Sequence, residues 1–295
     1  MKLLITGFNG FVAGSVIAHA KGNWEIHGIG RSENPVNLPG IYYHNLDLLD
    51  EQGLTKLFIE ISPDAVIHAA AMANIDVCQV NQEMAERVNV GVTKMIARLC
   101  SEHDVKMVFC STDTIFDGIK GDYVETDLPH PLNFYAETKV KGEQIVLAAS
   151  PINVVARLAL VMGLPVIGKG NSFLADMIAK LGKGIEIPFP ANETRTPVDV
   201  ITLGSSLVEL AGNQFGGIIH LSGNTKINRY QMGLEIASAL GYPINLILSI
   251  DSNAMPGRAP RANDASMDNS LAKKVLKTPM RTLAEGLNLT LNFKI

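Results

Sequence analysis

Short apolar runs alternate with longer segments of helical period through the first half of this chain, and few folds accept that alternation. Lys2–Thr6, Trp24–Gly30, Ile41–Leu46, Asp64–Ala71, Val105–Ser111 and Asn153–Val161 read as strands. Helices are expected between them: about Gly10 to Lys21, Asp50 as N-cap through to Ile61, Glu83–Glu102 and Asn133–Ala149. Near-continuous apolar strands, each joined by a helix, require a parallel sheet covered on both faces. The expected fold class is therefore α/β, a doubly wound parallel (Rossmann-type) sheet.

After Gly163 the rhythm loosens. Short strands (Ile185–Ile187, Gly217–Leu221, Ile244–Ile250) mix with helices near Ser172–Leu181, Val200–Ala211 and Arg229–Leu240, separated by clusters of glycine and proline. This reads as a smaller C-terminal substrate lobe. Residues 1–155 are expected to form the dinucleotide-binding domain and 156–295 the lobe, with some segments returning to the main sheet.

Composition narrows the function classes. The 295 residues carry 25 Lys and Arg against 29 Asp and Glu, a net charge of −4 with no basic block, which makes nucleic acid a poor partner. Cys78, Cys100 and Cys110 are an odd number without a CxxC pair, and they read as small core residues in a reducing compartment. The apolar run at the N-terminus is too short for a signal-peptide core, and Pro151, Asn153 and Arg157 interrupt the most apolar later stretch. A cytoplasmic protein without a membrane span is expected. The histidines, His68 and His220 among them, show no spacing for a protein-held metal.

The first strand runs into Thr6-Gly7-Phe8-Asn9-Gly10-Phe11-Val12-Ala13-Gly14. A dinucleotide needs a tight turn at Gly7, close backbone approach at Gly10 and a small residue, Ala13, where helix meets strand. The helix N-terminus then offers N–H groups to a pyrophosphate. The spacing GxxGxxA is a variant, and an ordinary glycine turn is the bland alternative. The second strand ends Gly28-Ile29-Gly30-Arg31-Ser32, with Glu25 inside the strand and Glu33 beyond it. Arg31 can fork onto a 2′-phosphate and Gly30 leaves room for it, which favours NADP(H) over NAD. Asp47, closing the third strand, either meets the adenine edge or caps a loop.

Tyr135-Ala136-Glu137-Thr138-Lys139 puts a phenol and an ammonium at i and i+4 on one helix face. A nearby cation favours the phenolate and is expected to bring the phenol towards working pH. The segment follows strand five, whose end carries Ser111-Thr112-Asp113 in the region where doubly wound sheets bind ligands. A Thr112 hydroxyl there can bond the same substrate oxygen as Tyr135. The competing reading is a core Tyr with a surface Lys.

These segments resemble the extended branch of the short-chain dehydrogenase/reductase superfamily, and within it the dTDP-4-dehydrorhamnose reductase family. Ser111–Gly118 is similar to the family's STDYVFDG stretch, and Glu125-Thr126-Asp127, Pro131–Tyr135, Lys139 and Gly142-Glu143 to its ExD…PxNxYGxxKxxGE stretch. Ala69-Ala70-Ala71, Ile75–Cys78 and Val88-Asn89 resemble the AAA, VDxCE and VN landmarks, while Thr196-Pro197, Gly217–Ser222 and Arg258–Asn263 follow the pattern more loosely. The resemblance implies hydride transfer from NADPH to a keto carbon of a nucleotide-linked sugar, with Tyr135 donating the proton. It implies Thr112, Tyr135 and Lys139 as the catalytic trio, backed by Asn89 through a water or the backbone. Gly7, Asn9, Gly10, Phe11, Arg31, Asp47, Leu48, Ala69, Ala70, Ala71, Asn89, Ser111, Tyr135 and Lys139 are implied to line the cofactor. Asp113 is placed near the sugar, and Arg195, Arg258 and Arg261 are candidates for its diphosphate, exposed solubilising charge being the alternative. Homodimers are common among such enzymes.

Several positions depart from the pattern. Arg157-Leu158-Ala159-Leu160 stands where Arg-Thr-Ser-Trp is usual, Thr114 replaces a Tyr, Ala136 replaces a Gly, and the sole tryptophan, Trp24, is far away. The aromatic wall beside the sugar is thus missing, which separates the chemistry from the rhamnose-precursor specificity. An epimerase on the same fold is opposed by Arg31. A dehydratase is opposed by Thr114 after Asp113, which removes a second carboxylate. A non-catalytic NADP-binding regulatory subunit is opposed by the retained Tyr135 and Lys139.

Overall fold

The apolar runs assemble into one seven-stranded parallel sheet in the computed structural model, which describes residues 1–32, 39–167, 170–252 and 255–294. Its strands are β1 (Lys2–Thr6), β2 (Glu25–Gly30), β3 (Ile41–Asn45), β4 (Ala65–His68), β5 (Lys106–Thr112), β6 (Val154–Leu158) and, after four short strands, β11 (Gly217–Leu221). The spatial order is β11-β6-β5-β4-β1-β2-β3. The chain leaves β1 outward through β2 and β3, then returns to the other side through β4. The reversal between β1 and β4 is the switch point at which such sheets open a ligand crevice.

Alternate residues of each strand enter different cores. Leu3, Ile5, Ile67 and Val108 pack with α1 (Phe11–Ala20) and with α8 (Val200–Gly212). Leu4, Val66, Met107 and Phe109 face the opposite layer, formed with residues of α2 (Glu51–Ile61), α5 (Val92–Glu102) and α6 (Phe134–Ala149). Burial on both faces is why these strands read as unbroken apolar runs. Helices α1 and α8 cross closely because Gly204 has no side chain: a Cβ there would stand 2.2 Å from Ser15 Oγ.

The lobe has its own core, in which α7 (Phe173–Leu181) and α9 (Arg229–Ala239) enclose Phe189 and Ile247. The remaining strands are short pairs: β7 (Val161–Met162) with β10 (Val198–Asp199), β9 (Thr194–Arg195) with β12 (Ile227–Asn228), and β8 (Ile187–Pro190) with β13 (Ile247–Ile250). A division at residue 155 falls inside β6, and β11 from the second half pairs with that strand. The C-terminal segments are therefore shared between the sheet edge and the lobe. No described helix is long and apolar enough to cross a membrane.

Several boundaries differ from the sequence expectation. The strand expected over Asp64–Ala71 ends at His68, because Ala69–Ala71 turn into a loop beside Gly7. The helix expected over Glu83–Glu102 is preceded by α3 (Ile75–Val80) and broken into α4 (Gln82–Ala85), a π-helical turn (Glu86–Gly91) and α5. Besides α3, two further described helices were not anticipated, α10 (Ser270–Val275) and α11 (Leu283–Asn292). The second carries a visible signal, a capping box between Thr282 and Glu285.

One glycine couples the fold to the crevice. Phe8, 1% exposed, lies over Gly28 of β2, and a Cβ on Gly28 would stand 1.8 Å from its ring. Gly28→Ala is expected to destabilise the protein by about 1–3 kcal/mol, as overpacking does. A lowered urea midpoint with an unchanged slope would show it; an unchanged midpoint would mean Phe8 has somewhere else to go.

Candidate active site

The glycine turn folds as the spacing requires. Gly10 N–H bonds Gly7 O at 2.8 Å, and Gly7 takes a positive φ of 70°. A Cβ on Gly7 would stand 2.8 Å from the Ala70 backbone, so the close approach at this residue is to the Ala69–Ala71 loop. Helix α1 starts with no side-chain cap and no acidic residue in its first turn, leaving its N-terminal N–H groups and positive dipole end to an outside anion.

A cleft of about 610 Å³ opens over this turn. Its wall includes Gly7, Asn9, Gly10, Arg31, Asp47, Leu48, Ala69, Ala70 and Ala71, nine of the residues assigned to the cofactor from sequence. Ser32, Leu49, Val88 and Val92 also line it and were not singled out. Phe11 is not in this wall; its side chain lies against Gly170. Arg31 is exposed at the rim, as is Asp47, whose carboxylate accepts the Leu49 N–H at 3.0 Å. The space above Gly30 holds the Tyr43 hydroxyl, 2.8 Å from where a Cβ would stand. Gly30 thus makes room for a tyrosine that bonds Ser32 O, rather than directly for a phosphate. Glu33 lies outside the described residues.

At the C-terminal end of β5, Thr112 caps the turn that follows, and its hydroxyl lies 3.3 Å from Asp113 Oδ1 and 3.1 Å from the Thr114 hydroxyl. Tyr135 and Lys139 are both buried, one turn apart on α6, whose N-cap Asn133 accepts the Ala136 N–H at 3.0 Å. The expected acidification of the phenol is overturned. Burial pushes the Tyr135 pKa up, Asp113 and Cys78 push it further, and only contact with the Thr112 hydroxyl pulls it down. The phenol is held protonated, the form that donates to a reduced carbonyl. Burial pulls the Lys139 ammonium down to about 8, and it rests 4.0 Å from the centre of the Phe109 ring. Ser111 donates its hydroxyl to the buried Glu143 carboxylate at 2.5 Å, which leaves its backbone as the part that can face a cofactor.

Asn89 sits in the π-helical turn, 2% exposed. Its side-chain oxygen accepts Met72 N–H at 2.8 Å, and its amide donates to Met72 O at 3.1 Å and to Thr138 Oγ1 at 3.0 Å. Thr138 in turn donates to Tyr135 O at 2.7 Å. Asn89 thus reaches the helix that carries Tyr135 through a side chain and a backbone carbonyl. Its own carbonyl accepts the Thr93 hydroxyl at 2.6 Å, so Thr93 accepts from His68 Nε2 at 3.0 Å. His68 Nδ1 then accepts from Thr6 at 2.6 Å, and burial pulls the imidazole down to about 3, which keeps it neutral. A continuous chain of bonds joins the start of the glycine turn to the Tyr135 helix.

Of the lobe arginines, Arg195 is buried and Arg258 and Arg261 are half-buried, each beside an acid. Arg195 Nε lies 3.7 Å from Asp113 Oδ2 and its Nη2 3.8 Å from Glu193 Oε2, while Arg258 Nη1 is 2.6 Å from Glu193 Oε1. Arg261 forms a bidentate pair with Asp76 of α3, at 2.7 and 2.9 Å. Asp76 also accepts Ala259 N–H, and Asn133 donates to Pro260 O, so residues 258–261 are strapped across α3 and the start of α6. None of the three is a solubilising surface charge, and Arg261 is committed to Asp76 rather than open to a diphosphate.

The family model of the RmlD substrate binding domain matches residues 1–294. The chain belongs to this family. It is 28% identical to methionine adenosyltransferase 2 subunit beta of Xenopus laevis over 289 residues, 95% of this chain and 85% of that protein. It is 27% identical to the probable low-salt glycan biosynthesis reductase Agl14 of Haloferax volcanii over 296 residues, 97% of this chain and 96% of that one. A solved dTDP-4-dehydrorhamnose reductase from Bacillus anthracis, in complex with NADP, superposes with a TM-score of 0.84 at 23% identity, covering 99% of both chains.

For a member of the RmlD substrate binding domain family, the sequence missed Glu193 and Arg229, both packed into the lobe's charge cluster. Neither lies in a motif; only the antiparallel pairing of β9 with β12 brings them together. Lys139 offers a direct check on the site's electrostatics. Its folded pKa near 8 lies below the ordinary 10.5, so between those values the unfolded chain binds more protons and wild-type stability rises with pH. Lys139→Met is expected to melt higher than wild type at pH 7, with the advantage shrinking by pH 10. A constant offset across that window would mean the ammonium is not desolvated.

Proposed function

We propose that the protein is an NADPH-dependent reductase acting on a keto group of a nucleotide-linked sugar. The observation that carries this reading is the buried, protonated Tyr135 next to the Thr112 hydroxyl, on the strand-end side where the glycine-turn cleft also opens. The dinucleotide fits that cleft: α1 presents an uncapped N-terminus, Gly7 and Gly10 leave the turn without side chains, and Arg31 stands at the rim as the 2′-phosphate contact. NADPH supplies a hydride when bound. Tyr135 Oη donates its proton to the carbonyl oxygen as the hydride reaches its carbon; the charge passes to the phenolate, which the Lys139 ammonium offsets, and a proton from water restores the phenol. Thr112 Oγ1 orients that oxygen and stabilises charge on it. Lys139 keeps positive charge under the site, and Asn89 fixes the helix that carries Tyr135. The neighbouring solved reductase binds NADP, which supports the cofactor assignment.

Similarity to a methionine adenosyltransferase subunit favours a second reading, a cofactor-binding regulatory subunit. Turnover separates the two. Purified protein given NADPH and a panel of 4-keto sugar nucleotides is expected to consume NADPH; binding without consumption across the panel would leave the regulatory reading. Tyr135→Phe is expected to cut turnover by roughly 10²-fold or more while leaving NADPH affinity within twofold, because only the transferable proton is removed. Arg31→Ala is expected to weaken NADPH about tenfold in a fluorescence titration and NADH hardly at all, since a charge-assisted bond is worth about 1.5–3 kcal/mol. Equal losses for the two cofactors would refute the phosphate contact.

A further inference from the structure

Five charged side chains meet in the lobe next to Thr112: Asp113, Glu193, Arg195, Arg229 and Arg258. Arg195 and Arg258 have carboxylate partners. Arg229 does not. It is the first residue of α9, where a cation opposes the helix dipole. Its guanidinium lies between two aromatic rings, 5.6 Å from the centre of Phe173 and 5.8 Å from that of Phe189. Its buried Nε has no hydrogen-bond partner, and the side chain donates none among the described residues. Burial lowers its pKa, Arg195 and Arg258 push the same way, and Glu193 and Asp113 oppose them.

Arg157 shows what a structural buried arginine looks like in the same chain. Its guanidinium makes three contacts of 2.9–3.2 Å with Glu143. A donor left unsatisfied in the interior costs about 1–3 kcal/mol, more when charged, so the fold alone gives no reason to keep Arg229 where it is. The complementary defect stands in the same cluster. Asp113 is 4% exposed, and its Oδ2 accepts no hydrogen bond, with Arg195 Nε no nearer than 3.7 Å. Three arginines against two carboxylates leave one positive charge. An oxyanion alone would satisfy the arginine and be repelled by Asp113. A ligand carrying an oxyanion and a hydroxyl satisfies both.

We propose that Arg229 is the principal phosphate contact for the nucleotide-linked sugar, with Asp113 accepting a hydroxyl of the same sugar. The aromatic rings hold the guanidinium ready, so little side-chain freedom is lost on binding. This assignment rests on the reductase reading for the identity of the ligand, and its test does not depend on turnover. The NADPH-saturated protein is titrated calorimetrically with thymidine and uridine diphosphates and with their glucose conjugates. Arg229→Gln is expected to weaken the tighter-binding diphosphate and its conjugate at least tenfold, Arg229→Lys to recover part of the loss, and the affinity for NADPH to stay the same. Because its buried Nε has no hydrogen-bond partner and the ring contacts offset only part of that cost, Arg229→Gln is expected to melt at or above the wild-type temperature. A change below threefold, a loss confined to the glucose conjugate, or wild type that binds none of the four would overturn the assignment. Arg229-dependent diphosphate binding without reduction of any keto sugar nucleotide would sink the reductase reading and leave this one standing.

Discussion

The site depends on one amide side chain held in an irregular helical turn. Asn89 uses both ends of its side chain on the backbone of Met72 and a second donor contact on Thr138. The loop leaving β4 and the helix carrying Tyr135 are thereby bolted to the same residue. A regular α-helix would carry a different phase through residues 86–91, and π-helical turns commonly mark such functional insertions. On the other side, the Asn89 carbonyl receives the chain of bonds that starts at Thr6 and passes through neutral His68. The residue at the end of β1 and Tyr135 on α6 are thus registered to one another through groups that carry no charge.

Much of this architecture could be read from the chain, and the reason is periodicity. Strands buried on both faces have to be apolar throughout, so β1, β4, β5 and β6 stood out at once, and the glycine spacing placed the cleft. What escaped reading were features set by contacts between distant segments. The break within 83–102 has no marker, because the π-helical turn answers to Met72 and Thr138 rather than to local propensity. The space over Gly30 was assigned to a ligand, yet Tyr43 from the neighbouring strand fills it. The acidity of Tyr135 was inferred from a lysine one helical turn away, when the sealing of the phenol by Cys78, Ala85 and the surrounding apolar groups counts for more. Burial is a property of the whole assembly, which spacing on one helix cannot report.

The two halves use buried charge in different ways. Beneath the sheet end, Arg157 and Glu143 close a complete pair that also takes up the Ser111 hydroxyl. Breaking one side of such a pair costs about 3–5 kcal/mol, so it defines how β6 and α6 meet. In the lobe, the charges around Glu193 are numerous and incompletely satisfied, with one donor (Arg229 Nε) and one acceptor (Asp113 Oδ2) left over among the described residues. The absent tryptophan belongs to the same picture. Leu160 stands where the resemblance leads one to expect an aromatic, and the polar side chains of this lobe come from β9 and the start of α9.

The strap formed by residues 258–261 over α3 and the start of α6 is held by a weaker joint than the sheet end. Arg261 is largely enclosed, but its partner Asp76 has a side chain 46% exposed, whereas Arg157 and Glu143 are 2% and 4%. Mobile counter-ions reach the first pair and not the second. Concentrated electrolyte would therefore slacken the seam between residues 258–261 and α3 while the Arg157–Glu143 framework beneath kept its shape.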